Sequence, residues 1–231
     1  MKQIFFSVLS LGAVFLASCG KDDDNPATPQ ARVKFVNTAV AVDTLKIRVN
    51  NAQVSGANNL TYGGSTGYVQ IAPGTTNFDF LISSANLPWA DTSFNVTANS
   101  SYSVYASGNI INPAVIVTMD DMATPSSGNA KIRFVNAAGM DNLNLRAFVV
   151  NTSSSTVTNL DSNFTFRMAT PFREIPAGTY NVTLGDPGNI PATRSISNQQ
   201  LVAGKIYTFV MAGSTNASGT GALNVMMVPN N

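Results

Sequence analysis

Ala31-Arg32-Val33-Lys34-Phe35-Val36-Asn37 recurs 99 residues later as Ala130-Lys131-Ile132-Arg133-Phe134-Val135-Asn136. Each stretch alternates polar and apolar side chains, the period of two expected of a half-buried β-strand. Two more pairs follow in the same order. Gln70-Ile-Ala-Pro-Gly-Thr-Thr-Asn77 matches Glu174-Ile-Pro-Ala-Gly-Thr-Tyr-Asn181 at an offset of 104, and Ser101 to Gly108 matches Ile206 to Gly213 at 105. A slowly growing offset marks a duplication with small insertions. A unit of about 100 residues is a domain, since solenoid periods run about 20–50 residues.

Working outward, the alternation predicts strands over 45–49, 69–71, 77–81, 94–97, 102–106 and 114–119 in the first half. In the second half it predicts them over 132–136, 143–150, 164–168, 180–184, 194–197, 207–211 and 223–228. No window past the N-terminal segment has helical periodicity. Short strands separated by Gly, Pro, Asn and Ser predict an all-β chain of two tandem immunoglobulin-like β-sandwich domains. The expected modules are 31–121 and 130–231, joined by the Pro-, Ser- and Gly-rich linker 122–129. Pro73-Gly74 and Pro176-Ala177-Gly178 read as turns that reverse the chain between strands.

The composition is 231 residues, 11% charged, net charge +1, with no histidine and one cysteine. A near-zero charge provides no field for nucleic acid. Without histidine, Ser-His-Asp and Cys-His catalysis and the usual zinc and copper sites are excluded, and one cysteine makes no intrachain disulfide. No catalytic, metal-ligating or cofactor-binding residue is expected. The acids beyond residue 30 are Asp43, Asp79, Asp91, Asp120, Asp121, Asp141, Asp161, Glu174 and Asp186. A glycosidase needs two of them facing one cleft. Asp120-Asp121 is adjacent, but strand neighbours point to opposite faces, so a solvated loop or a domain-interface contact is expected there. Asp141-Asn142-Leu143-Asn144 and Asp186-Pro187-Gly188-Asn189 are the loops richest in oxygen. Each carries one acid, less than calcium usually takes, and Asx turns account for both. Trp89, the single tryptophan, follows Leu87-Pro88 in an expected loop, where it either contacts a ligand or caps the core.

Ala-Arg-Val-Lys-Phe-Val-Asn, Pro-Ala-Gly-Thr-Tyr and Ala-Gly-Lys-Ile-Tyr-Thr-Phe together resemble the DUF4397 domain. The resemblance covers most of 31–228 and implies tandem modules in a secreted or surface bacterial protein. It transfers no catalytic residues.

At the N-terminus, Met1-Lys2 precedes an apolar run over 4–16 that ends in Leu16-Ala17-Ser18-Cys19. About thirteen residues at ~1.5 Å each fall short of the ~30 Å hydrocarbon core, so a removable signal (1–18) is expected rather than a span. The segment resembles a bacterial lipobox, which implies cleavage between Ser18 and Cys19, acylation of Cys19 and a membrane anchor. Lys21-Asp22-Asp23-Asp24 within the tether 19–30 resembles the export signal of Bacteroidota surface lipoproteins, implying the outer leaflet of the outer membrane. These readings predict a non-catalytic binding or adhesion module for an extracellular protein or glycan. The alternatives are a structural spacer or envelope-complex subunit and, less favoured, a carboxylate-dependent hydrolase.

Overall fold

A computed structural model describes residues 29–42, 44–139 and 141–231. The features expected at Ser18, Cys19, Lys21, Asp22, Asp23, Asp24 and Asp43 lie outside the described residues. The first half holds β1 (Ala31–Asn37), β2 (Thr44–Val49), β3 (Ala52–Gln53), β4 (Leu60–Thr61), β5 (Val69–Ile71), β6 (Gly74–Ile82), β7 (Leu87–Val96), β8 (Ser101–Gly108) and β9 (Pro113–Met119). The second half holds β10 (Asn129–Asn136), β11 (Leu145–Asn151), β12 (Val157–Phe164), β13 (Arg173–Pro176), β14 (Gly178–Asp186), β15 (Asn189–Leu201), β16 (Ile206–Ala212) and β17 (Asn224–Pro229). One 3-10 turn, Gly219–Gly221, precedes β17.

The strands form four sheets, ordered β3-β2-β6-β7, β5-β1-β8-β9, β13-β10-β16-β17 and β12-β11-β14-β15. Both halves therefore share one topology, including a parallel pairing of the first strand with the penultimate one, β1 with β8 and β10 with β16. One core, with Val33, Phe35, Ile47, Phe78, Phe80 and Val104, fills the first sandwich. Another, with Ile132, Phe134, Leu145, Val182, Leu184 and Phe209, fills the second. A third cluster, with Val36, Tyr105, Ile116, Val135, Val210 and Val228, lies between the sheets of β1 and β10. The molecule is thus four layers deep, with two sandwiches back to back.

The expectation of half-buried strands fails at the centre. Every residue of β8 and β16 is buried, and β1 and β10 nearly so. Val33, Phe35, Ile132 and Phe134 face their own cores, as expected. On the opposite face Val36 and Val135 join the cluster between the sandwiches, and Lys34, Lys131 and Arg133 are buried there, while Arg32 stays exposed.

The repeated asparagine has a structural cause. Asn37 and Asn136 are wholly buried and tie the end of each half's first strand to later parts of the chain. Asn37 donates to Leu60 O at 2.8 Å and accepts from Ala39 N at 3.0 Å. Asn136 donates to Leu143 O at 3.1 Å and accepts from Ala138 N at 3.1 Å. Likewise, the Tyr102 hydroxyl accepts from Thr97 N and that of Tyr207 from Val202 N, each five residues upstream. These resemble the tyrosine corner of immunoglobulin sandwiches.

The Pro73-Gly74 and Pro176-Ala177-Gly178 turns carry the chain from β5 to β6 and from β13 to β14, across to the facing sheet. Two expectations are corrected. The strand expected over 164–168 ends at Phe164, because the chain then turns, with Met168 N donating to Thr165 O at 3.0 Å and Arg167 in left-handed backbone (φ 71°). Trp89 lies on β7 rather than in a loop. Pro88 is tolerated because β7 is an edge strand, and Trp89 is the extra residue of a bulge between Phe80–Ala90 and Leu81–Pro88.

Gly108, the last residue of β8, and Gly213, just past β16, have φ of 84° and 92°, and an added Cβ would lie 2.2 and 2.3 Å from the Asn112 and Ala222 carbonyl oxygens. Left-handed strain alone costs about 1–3 kcal/mol. Gly213→Ala is therefore expected to lower stability by at least that amount in urea unfolding, whereas alanine at Gly204, where no atom lies near, loses only the strain.

Candidate functional site

The interface between the sandwiches is the most charged buried region among the described residues. Arg133, on β10, is 2% exposed and Asp120, just past β9, is 5% exposed. Their groups meet at 2.5 Å. Arg133 also donates to Thr208 Oγ1 at 3.0 Å, Met119 O at 3.0 Å and Tyr105 Oη at 3.2 Å, and its guanidinium lies 4.4 Å from the Phe172 ring centroid. Asp120 accepts in addition from Ser103 Oγ at 2.6 Å and Tyr68 Oη at 2.5 Å. Asp120-Asp121 is thus a domain-interface contact, with the neighbouring carboxylate directed elsewhere: Asp121 pairs with Lys131 at 2.8 Å. Among the described residues, no buried side-chain nitrogen or oxygen lacks a partner.

The network repeats across a pseudo-two-fold axis. Lys34 occupies in the first half the place Arg133 holds in the second. Its ammonium donates to Pro229 O of the second half and lies 4.6 Å from the Tyr68 ring centroid. Each cation therefore reaches across to the end of the other half's last strand, beneath an aromatic ring (Tyr68 or Phe172). The copies diverge where Asp120 corresponds to Asn230. Asn230 accepts from Thr208 Oγ1 at 2.8 Å and donates to Tyr68 Oη at 3.0 Å. Burial lowers the Lys34 ammonium to about 8, opposed by the Asp120 carboxylate. Burial, with Asp120 beside it, raises the Tyr68 hydroxyl.

A groove of about 850 Å³ opens at one margin of this interface. The edge of β9 from Val117 to Asp121 forms one side, and Arg133 with the segment from Arg167 to Phe172 forms the other. That segment is held on β10 by Thr170, whose Oγ1 accepts from Phe134 N at 3.0 Å. Val117 and Met119 are 36% and 63% exposed and Arg167 is exposed, so the groove combines an apolar edge with a cation. Sequence reasoning missed it because its walls come from residues 50 apart and from the polar face of a strand.

The other expected sites fall elsewhere. Trp89 is 8% exposed, packs in the first core and donates from Nε1 to Asn109 O at 3.1 Å. Trp89 also lines a separate depression with Arg48, Asp79 and Asp91. There Asp79 stands between Arg48 and Asp91 across β2, β6 and β7, on the outer face of an open sheet. Asp141 accepts from Ser214 and Thr215, and Asp186 from Asn144 and Gly188, so protein donors already engage the oxygens of both loops considered for calcium. Glu174 accepts from Ser126 and Asn129 and fixes the linker.

Removing one member of a buried ion pair costs about 3–5 kcal/mol. Asp120→Ala is expected to lose roughly that amount in urea unfolding, and Arg133→Met with Asp120→Ala together less than the sum. Lys34 gives a second test. Its folded pKa is lowered, so between about 8 and the unfolded value the unfolded chain binds more protons and stability rises with pH. The urea midpoint is expected to climb from pH 7.5 towards pH 9.5, before tyrosine ionisation reverses the trend, and Lys34→Met to flatten the climb.

Solved structures similar to the chain come from Bacteroides. One, from B. uniformis and provisionally described as a cell adhesion protein, is 12% identical, with 88% of this chain and 98% of that one covered at a TM-score of 0.28. Another so described, from B. ovatus, is 11% identical, with 87% and 96% covered at 0.23. A leucine-rich repeat protein from B. thetaiotaomicron is 14% identical over 86% of this chain, which spans only 26% of that protein, at 0.23. At such scores these likenesses carry no functional argument. No curated protein matches. The model for the domain of unknown function DUF4397 matches residues 31–146, which is the whole first sandwich with β10 and the start of β11. The chain belongs to the DUF4397 family.

Proposed function

We propose that the chain is a non-catalytic binding protein of the cell surface, built of two copies of its family's module (31–121 and 130–231). Cys19, acylated after cleavage at Ser18, holds it on the outer membrane, with the tether and its Lys21-Asp22-Asp23-Asp24 run directing it outward. The body then engages an extracellular protein or glycan. No helix among the described residues is long and apolar enough to cross a membrane.

The groove beside β9 is the observation that carries the binding reading. It is open, apolar at one side and cationic at the other, and it rests on two sheets locked by a saturated polar network. No group of three or more acidic or cysteine residues that could hold a metal occurs among the described residues, and the buried carboxylate there is engaged by an arginine. Such a site supplies a rigid surface for recognition. Trp89, 8% exposed beside the separate depression, is a second contact position. A spacer role is favoured by the same interlocked interface, which stiffens the body.

Two measurements test this. A palmitate analogue fed to cells is expected to label the full chain and not Cys19→Ser, and the variant is expected to leave the envelope fraction. A pull-down and glycan array with soluble 31–231 are expected to return a ligand whose binding falls at least tenfold with Met119→Lys. Stable copurification with one envelope protein, unchanged by that variant, would favour the spacer instead.

A further inference from the structure

We propose that the edge of β9 takes one extended strand of a partner polypeptide, apolar at alternate residues and bearing a carboxylate. The inference rests on the binding reading above and assigns the groove to a peptide ligand.

The strand's parity shows which groups it offers. Asp120 N donates to Ser101 O at one end of the β8–β9 ladder, and Asn109 N donates to Asn112 O at the other. In the register that sets Met119 opposite Tyr102, both bonds fall on the even-numbered residues of the β9 side. Hydrogen-bonded and non-hydrogen-bonded pairs alternate in an antiparallel ladder. Ala114, Ile116 and Thr118 therefore turn their amides to β8, and Val115, Val117 and Met119 turn theirs away. An independent contact agrees, because the Met119 carbonyl accepts from Arg133 on that outer side. No strand pairs with this edge among the described residues.

Natural edges are usually blunted by proline, a charged residue or a covering segment. The equivalent edge of β17 is blunted at its end, where Pro229 replaces Met119 and has no N–H. β9 carries Val117 and Met119 in the open, with three outward donors in a row. Added strands gain affinity from such backbone groups and specificity from alternate side chains.

The occupant's charge follows from the groove. Arg133 is matched by Asp120 and Lys131 by Asp121, whereas Arg167 enters none of the ion pairs among the described residues. Its guanidinium lies 5.4 Å from the Phe166 ring centroid, beside the groove. An acidic residue of the incoming strand would meet it. A second copy of this chain would bring its own Arg167 to the same place, so like charges disfavour self-pairing.

The test is selection of a displayed library of random linear dodecapeptides against the full chain, followed by affinity measurements on the peptides recovered. The peptides expected alternate apolar residues and carry an aspartate or glutamate. N-methylation at alternate peptide amides should abolish binding, while Val117→Pro, whose lost N–H is not part of the β8 ladder, should weaken it at least tenfold. Met119→Lys should do the same if the proline variant fails to fold, and Arg167→Glu should reverse the preference for acidic peptides. Failure to recover peptides, or peptides indifferent to these changes, would overturn the proposal. A glycan ligand found on the array and unaffected by Val117→Pro would overturn it while leaving the binding reading intact. Concentration-dependent dimerisation lost in Val117→Pro would assign the edge to a second copy and overturn it likewise.

Discussion

The ion pair between Arg133 and Asp120 sits where two sheets bury each other's polar faces, and the back-to-back arrangement depends on it. A guanidinium removed from water is tolerable only if its donors and charge are met. Here a carboxylate, a carbonyl and two hydroxyl oxygens meet them, and an aromatic ring covers the plane. Such a pair adds little net stability compared with apolar packing. Its consequence is alignment, since a slip of one residue between the sheets would strand both charges. The apolar cluster around Val36, Tyr105, Val135 and Val210 supplies the attraction that the polar network then places in register.

The interface has the form of a two-fold dimer joined in one chain. In such a contact the same patch serves both partners, and here Lys34 and Arg133 each cross to the opposite half. Divergence between the copies then becomes informative. Asp120 against Asn230 puts the carboxylate on one side only, so Arg133 is neutralised directly while Lys34 relies on a carbonyl and the Tyr68 ring. Met119 against Pro229 leaves one edge able to donate and blunts the other. The open edge and the strongest buried pair lie together, so the groove has a firm wall.

Much of the fold was legible in the residues. The repeat of Ala31–Asn37 at Ala130–Asn136, with the two later matches, implied two all-β units, and the strands appear within a few residues of their expected places in most cases. The misses have physical reasons. β12, with mostly exposed polar residues, has no apolar face to mark it. β13 is four residues long, and the run through Phe164–Met168 looks extended until left-handed backbone breaks it. Trp89 followed a proline that only an edge strand accommodates. Least legible was the site itself. Lys34 and Arg133 alternate with apolar residues just as a solvent face would, and only the approach of a second sandwich shows that water is absent. Asp120 gave one signal, an acid at the module boundary, but nothing in the sequence paired it with a residue 13 positions on.

The central claim is that the interlocked cations make the two sandwiches one cooperative body. Urea unfolding followed by Trp89 fluorescence, which reports the first sandwich, and by far-ultraviolet circular dichroism, which reports both, tests it most directly. Coincident transitions with one midpoint are predicted. A fluorescence transition displaced from the circular dichroism transition would mean that the halves unfold independently, and would contradict the account.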